Sequence, residues 1–110
     1  GQSMVHGDKR PHLVALIVPD ETFAKSWAVE NGRTDASLEM LVGDVDFRKA
    51  VSAAVDRVNG DLSVIERVRR FTMTAESFTI DNAMMTPTLK IRRHVIREQY
   101  GKLLEKLYGG

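Results

Sequence analysis

Apolar residues fall along this chain in strand-length runs and at helical spacings, separated by polar punctuation. Leu13-Val14-Ala15-Leu16-Ile17-Val18 is a continuous apolar run, with Pro11 before it and Pro19-Asp20 after it. That length and those boundaries predict a strand buried on both faces. Asp20 then reads as a helix N-cap and Glu21 suits the positive end of the helix dipole. Phe23, Ala24, Trp27 and Ala28 form one apolar stripe, and Asn31-Gly32 is a stop signal. A short helix is predicted over Ala36–Val42, capped by Thr34 or Asp35. Gly43-Asp44 opens a longer one, in which Phe47, Val51, Val55 and Val58 recur at helical spacing. Asn59-Gly60 predicts its end, although Leu62 and Ile65 continue the period.

Beyond that point Val68–Met73 alternates as a strand, with Phe71 and Met73 on one face and Arg70 and Thr72 on the other. Ser77–Ile80 is a further strand candidate, followed by a turn at Asp81-Asn82. Thr86-Pro87-Thr88 is expected to be extended, because a residue before proline avoids the helical region. The last helix is predicted from Arg92 to Leu107, with Ile96, Tyr100, Leu103, Leu104 and Leu107 on its apolar face. The order βαααββα describes an α+β domain, a small sheet covered by about four helices. Its expected core includes Leu16, Phe23, Trp27, Val51, Val55, Phe71, Leu103 and Leu107.

Composition narrows this picture. The 110 residues suit a single domain, and 43% hydrophobic with 28% charged residues is ordinary for a globular protein. Gly1-Gln2-Ser3-Met4 reads as a cloning remnant, which leaves residues 5–110 as the domain. A net charge of +1 gives no bulk electrostatic case for nucleic acid or an anionic membrane. The absence of cysteine excludes disulfide frameworks, zinc ribbons and thiol nucleophiles. No apolar run approaches the roughly 20 residues of a membrane span, and the N-terminus has no signal-peptide pattern.

Candidate chemistry is sparse. His6, His12 and His94 show no metal-ligand spacing, and no metal site is expected. The carboxylates are scattered over caps, turns and helix faces. There is no Gly-x-Ser-x-Gly elbow and no Gly-rich phosphate loop, so a complete nucleotide-binding enzyme is not encoded here. Two basic pairs stand out, Arg69-Arg70 and Arg92-Arg93, the second reinforced by Lys90 and Arg97. Such a cluster could recognise phosphate, and a positive patch serves RNA, CoA or an acidic protein equally well, but no aromatic residue interleaves with it for base stacking.

The stretch Met85-Thr86-Pro87-Thr88-Leu89-Lys90-Ile91-Arg92-Arg93 resembles the signature near the C-terminus of long-chain acyl-CoA synthetases, which are adenylate-forming ligases. Three further segments resemble the same family in the same order: Gly7 to Asp20, Ala54 to Met73, and Tyr100 to Gly109. The resemblance implies a mobile C-terminal lid that takes one pose for each half-reaction, with its hinge just before residue 5. In such enzymes a fatty acid is joined to AMP, with loss of pyrophosphate, and the acyl group then passes to CoA. Lys90 matches the adenylation lysine, which meets the α-phosphate and the substrate carboxylate. Thr86, Thr88, Arg92 and Arg93 match residues that contact substrate or phosphate, or orient the loop. The fragment itself is expected to bind no cofactor and to be inactive; ATP, Mg and CoA are implied for the parent enzyme. Its implied partner is the N-terminal adenylation domain of the same polypeptide, with fatty acid, ATP and CoA as substrates. The implied location is cytoplasmic, with peripheral contact to membranes through the long-chain substrate. Neither nucleic acid nor a transmembrane segment is expected.

Two positions depart from the family pattern. Leu89 stands where many adenylate-forming enzymes carry glycine, and Asn82-Ala83 stands where an Asn-Gly turn would be comfortable. The rival function is an independent binding module that uses Lys90 to Arg97 for RNA or an acidic protein; a purely structural domain is the third reading.

Overall fold

A computed structural model describes residues 2–7, 10, 12–59 and 68–108. Its elements in chain order are β1 (Gln2–His6), β2 (Leu13–Val18), α1 (Glu21–Glu30), α2 (Leu38–Val42), α3 (Val45–Asn59), β3 (Val68–Met73) and α4 (Arg93–Lys106). The three strands form one sheet in the order β1-β2-β3. β1 pairs antiparallel with β2, Met4 opposite Leu16, and β3 pairs parallel with β2, Ala15 opposite Phe71. A parallel pair requires a crossover, and α1, α2 and α3 supply it.

The apolar run predicted as a doubly buried strand is β2, the central strand. Side chains alternate across a strand. Val14, Leu16 and Val18 accordingly enter one buried cluster with Met4, Phe78, Met84, Ile96 and Leu104. Ala15 enters the other, with Ala24, Ala28, Leu41, Phe47, Val51 and Phe71. Thus α4 and the loop before it cover one face of the sheet, and α1, α2 and α3 cover the other. In β3, Val68 and Phe71 pack on the same side although three positions apart. The register shifts there, because Leu13 is opposite Val68 and Val14 is opposite Arg70, and the extra residue is a bulge.

The caps explain the helix starts. Asp20 accepts the Phe23 N–H at 2.9 Å, as expected. Asp44 accepts the N–H groups of Asp46 and Phe47 to open α3. Arg33 ties that start to the end of α1, pairing with Asp44 and Asp46 and lying over the Trp27 ring. The short helix begins at Leu38, not Ala36. Its cap is Ser37, whose hydroxyl accepts the Met40 N–H; neither Thr34 nor Asp35 caps it. The expected break at Gly60 and the period through Leu62 and Ile65 lie outside the described residues.

The expected element order is corrected in two places. Gln2–His6 is a strand, so residues 2–4 belong to the fold they were expected to precede. Ser77–Ile80 is not a strand. The reasons are linked. The Gln2 carboxamide donates to the Phe78 carbonyl at 2.9 Å and accepts the Phe78 N–H at 2.7 Å. One side chain thus meets both backbone groups that a neighbouring strand would have paired. The order is ββαααβα, with the α+β class unchanged.

The core list is corrected as well. Leu16, Val51 and Phe71 are buried, and Trp27, Val55 and Leu107 are partly so. Phe23 is 37% exposed because α1 closes on the sheet through Ala24 and Ala28, leaving Phe23 and Trp27 to flank Phe47. Leu103 is 44% exposed while Leu104 is fully buried. The last turn of α4 rotates its buried side towards Tyr108, whose hydroxyl reaches the backbone carbonyls of His6 and His12.

Candidate functional site

Lys90 sits on a short antiparallel hairpin between the sheet and α4. Met85 and Ile91 form an isolated bridge, the Arg92 N–H donates to the Met84 carbonyl at 2.8 Å, and the Thr86 N–H donates to the Lys90 carbonyl at 2.8 Å. The Leu89 N–H donates back to the Thr86 carbonyl, closing the tip. Pro87 and Thr88 therefore form a turn, which corrects the extended conformation expected for them. A three-residue hairpin tip of this kind ends in a residue of left-handed backbone conformation. Leu89 is that residue, with φ of 63°. This is why glycine suits the position and why leucine there is strained.

The hairpin rests on a second turn built from side chains. The Asn82 carboxamide oxygen accepts the N–H groups of Thr79 and Met84, its amide donates to the Ser77 carbonyl, and its own N–H donates to the Thr79 hydroxyl. Ala83 follows with φ of 65°, the conformation an Asn-Gly turn would supply without strain. Met84, fully buried, anchors the turn in the core.

The five predicted site residues separate on this frame. Lys90 is exposed, and its ammonium has no partner among the described residues. Thr86 is turned into the tip, its hydroxyl accepting the Lys90 backbone N–H at 3.1 Å and lying 3.0 Å from the Thr88 hydroxyl. Thr88 is exposed at the tip. Arg92 lies beside His94, 3.5 Å from its Nε2. Arg93 points elsewhere, its guanidinium donating to the Val5 carbonyl at 2.8 Å. Sequence reasoning missed Asn82 and Thr79 as supports. A Thr-x-x-Asn spacing ahead of the signature was the available signal.

The electrostatics favour an anion at this corner. The N-cap of α4, Arg92, makes no side-chain cap hydrogen bond, and the first turn has no acidic residue. Its positive dipole end therefore lies beside Arg92 and Arg93 with no carboxylate in the first turn. The Phe47 N–H bonded to Asp44, and the Arg10 guanidinium bonded to Glu105, hold those carboxyls below the usual range. Burial raises the Tyr100 and Tyr108 hydroxyls. Among the described residues no group of three His, Asp or Glu could hold a metal, and no helix is long and apolar enough to cross a membrane. An apolar groove of about 560 Å³ lies over β1 and β2 beside α1 and α3, and no residue of the Lys90 hairpin lines it.

No protein-family model matches the chain. It is 34% identical over 108 residues to the long-chain-fatty-acid–CoA ligase FadD15 of Mycobacterium tuberculosis, a match spanning 97% of this chain and 18% of that protein. It is also 34% identical over 110 residues to the long-chain-fatty-acid–CoA ligase 1 of Homo sapiens, spanning 97% of this chain and 16% of that one. The chain thus spans less than a fifth of the length of these relatives. In three dimensions it is similar to the A-PCP didomain of a carboxylic acid reductase from Segniliparus rugosus, with a TM-score of 0.71 and 25% identity over 99% of this chain and 14% of that one. Over nearly its whole length the chain is a homologue of the long-chain-fatty-acid–CoA ligases, matching a segment that fits their C-terminal domain within the adenylate-forming fold.

Proposed function

We propose that this chain is the mobile C-terminal lid of an ATP-dependent long-chain fatty acid–CoA ligase and that Lys90 is its adenylation lysine. The observation that carries the reading is a hydrogen-bonded hairpin presenting one lysine whose ammonium is exposed and free of partners among the described residues. In the first half-reaction a carboxylate oxygen attacks the α-phosphorus of ATP and pyrophosphate leaves. Negative charge grows on the α-phosphate oxygens in that step. A compact ammonium on a flexible four-carbon stem can meet this charge when the lid closes and withdraw when it opens. In the second half-reaction the thiol of CoA displaces AMP from the acyl-adenylate, and Lys90 takes no part. The nucleotide and acyl pockets, and the magnesium that accompanies ATP, are assigned to the N-terminal adenylation domain of the same polypeptide. The segment alone is accordingly inactive. The cytoplasm, with peripheral membrane contact through the fatty substrate, is the proposed place of action. Nothing in the comparisons supports the rival reading as an RNA- or acidic-protein-binding module.

The test is the Lys90→Ala variant of the full-length ligase, with each half-reaction followed in a single turnover. Acyl-adenylate formation should slow by ~10²–10³ and transfer from preformed acyl-adenylate to CoA should be nearly retained. Equal losses in both steps would make Lys90 a folding or binding residue.

A further inference from the structure

Arg93 lies in the signature, three residues after Lys90, yet its guanidinium is directed at the sheet. Among the described residues β1 has a neighbouring strand on one side only, and its Val5 carbonyl is met by Arg93 at 2.8 Å. That contact joins residues 88 positions apart in the chain. The preceding residue is equally fixed, since the Arg92 N–H donates to Met84 at the base of the hairpin. The first turn of α4 is therefore held to the edge strand by Arg93 and to the Lys90 hairpin by Arg92. The far end of α4 closes on the same part of β1, where the Tyr108 hydroxyl meets the His6 carbonyl and Glu105 lies 3.7 Å from the His6 ring.

We propose that Arg93 is a positioning residue for adenylation, a bolt between β1 and α4 that fixes the direction in which the hairpin presents Lys90. The proposal rests on the assignment of Lys90 above. An uncapped helix start with a cationic first turn is the weakest place along α4. Without the bolt it would fray, and the hairpin hydrogen-bonded to it would lose its fixed bearing on the sheet. A misplacement of ~1 Å in a catalytic group costs up to ~10²-fold in rate, so a contact that never touches substrate can still govern the chemical step. A phosphate-binding arginine would act differently, by holding ATP in the ground state.

The experiment uses the full-length ligase and compares the wild type with Arg93→Ala, Arg93→Lys and Lys90→Ala. Single-turnover acyl-adenylate formation is measured across ATP concentration, and amide hydrogen exchange is followed over Met84–Ile91 and over β2. Arg93→Ala should lower the rate at saturating ATP by ~10-fold, leave the KM for ATP within roughly twofold, and speed exchange in the hairpin while β2 stays protected. Arg93→Lys should recover most of the rate, because a single carbonyl needs one donor and no planar fork. A raised KM for ATP with an unchanged saturating rate would overturn the proposal in favour of a phosphate contact. Unchanged rate and unchanged hairpin exchange would overturn it outright. Should Lys90→Ala leave adenylation intact, the assignment of Lys90 falls, and the exchange data still decide whether Arg93 holds the hairpin.

Discussion

The Thr86 hydroxyl accepts the backbone N–H of Lys90 at 3.1 Å, so the residue that opens the hairpin tip also fixes the residue that closes it. Removing that acceptor while keeping the β-branched shape isolates its contribution. Thr86→Val should destabilise the fold by about 1 kcal/mol, the usual worth of one such hydrogen bond. Thr86→Ser should be close to neutral. Chemical unfolding of the two variants checks this, and equal stabilities would mean that the hydroxyl is dispensable to the turn.

Leu89 combines a left-handed backbone with a side chain that is 69% exposed. Leu89→Gly removes a conformational penalty of about 1–2 kcal/mol and adds about 0.4–1 kcal/mol of unfolded-state entropy cost. Relief wins by a small margin, and little burial is lost. The midpoint of thermal unfolding should therefore stay level or rise. Leu89→Ile, β-branched at the same φ, should lower it clearly. A large loss on Leu89→Gly would show that the leucine side chain holds the turn.

Neighbouring leucines in α4 give a sharp test of its rotation. Leu104→Ala should cost about 2–5 kcal/mol, as expected for a fully buried leucine, while Leu103→Ala should cost well under half as much. Denaturant unfolding measures both, and the reverse order would place the other face of the helix against β2.

Acid should weaken the domain through its caps. The Asp20 and Asp44 carboxyls are held low chiefly by the Phe23 and Phe47 N–H groups, and that of Glu105 by the Arg10 guanidinium. Groups depressed in the folded state contribute stability above their unfolded values, near ~4, and lose it as pH falls through the lower folded values. Stability should therefore decline below pH ~4, and Asp44→Asn should flatten that decline. The raised Tyr100 and Tyr108 hydroxyls work in the opposite sense, their contribution being lost as pH climbs above ~10. Unfolding midpoints measured across pH 2–11 would show both limbs, and an acid limb unchanged by Asp44→Asn would remove that cap from the account.

Much of the fold was legible because its signals are local. The apolar run of β2, the Asp20 cap and the period of α3 each carry their meaning within one element. What stayed hidden depends on partners distant in sequence. β1 is a short strand of mixed polarity, and it becomes a strand by pairing with β2. Phe78 and Ile80 alternate like strand residues, yet Ile80 is 51% exposed and the Phe78 backbone is taken by Gln2. The candidate site divides the same way. The signature singles out Lys90 as a candidate, whereas the hydrogen bonds of Thr86 within the tip and the reach of Arg93 to Val5 are properties of the folded chain.

The place of β2 between two partners of unequal distance also sets a timetable for synthesis. β1 and β2 can pair as soon as they leave the ribosome. Their Met4, Val14 and Leu16 side chains are buried with Phe78 and Met84 and, about eighty residues after β2, with Ile96 and Leu104. At ~5–20 residues per second, that leaves the apolar hairpin face incompletely covered for ~4–16 s on each nascent chain. A ribosome stalled before Ile96 would carry a sheet with that face incompletely covered.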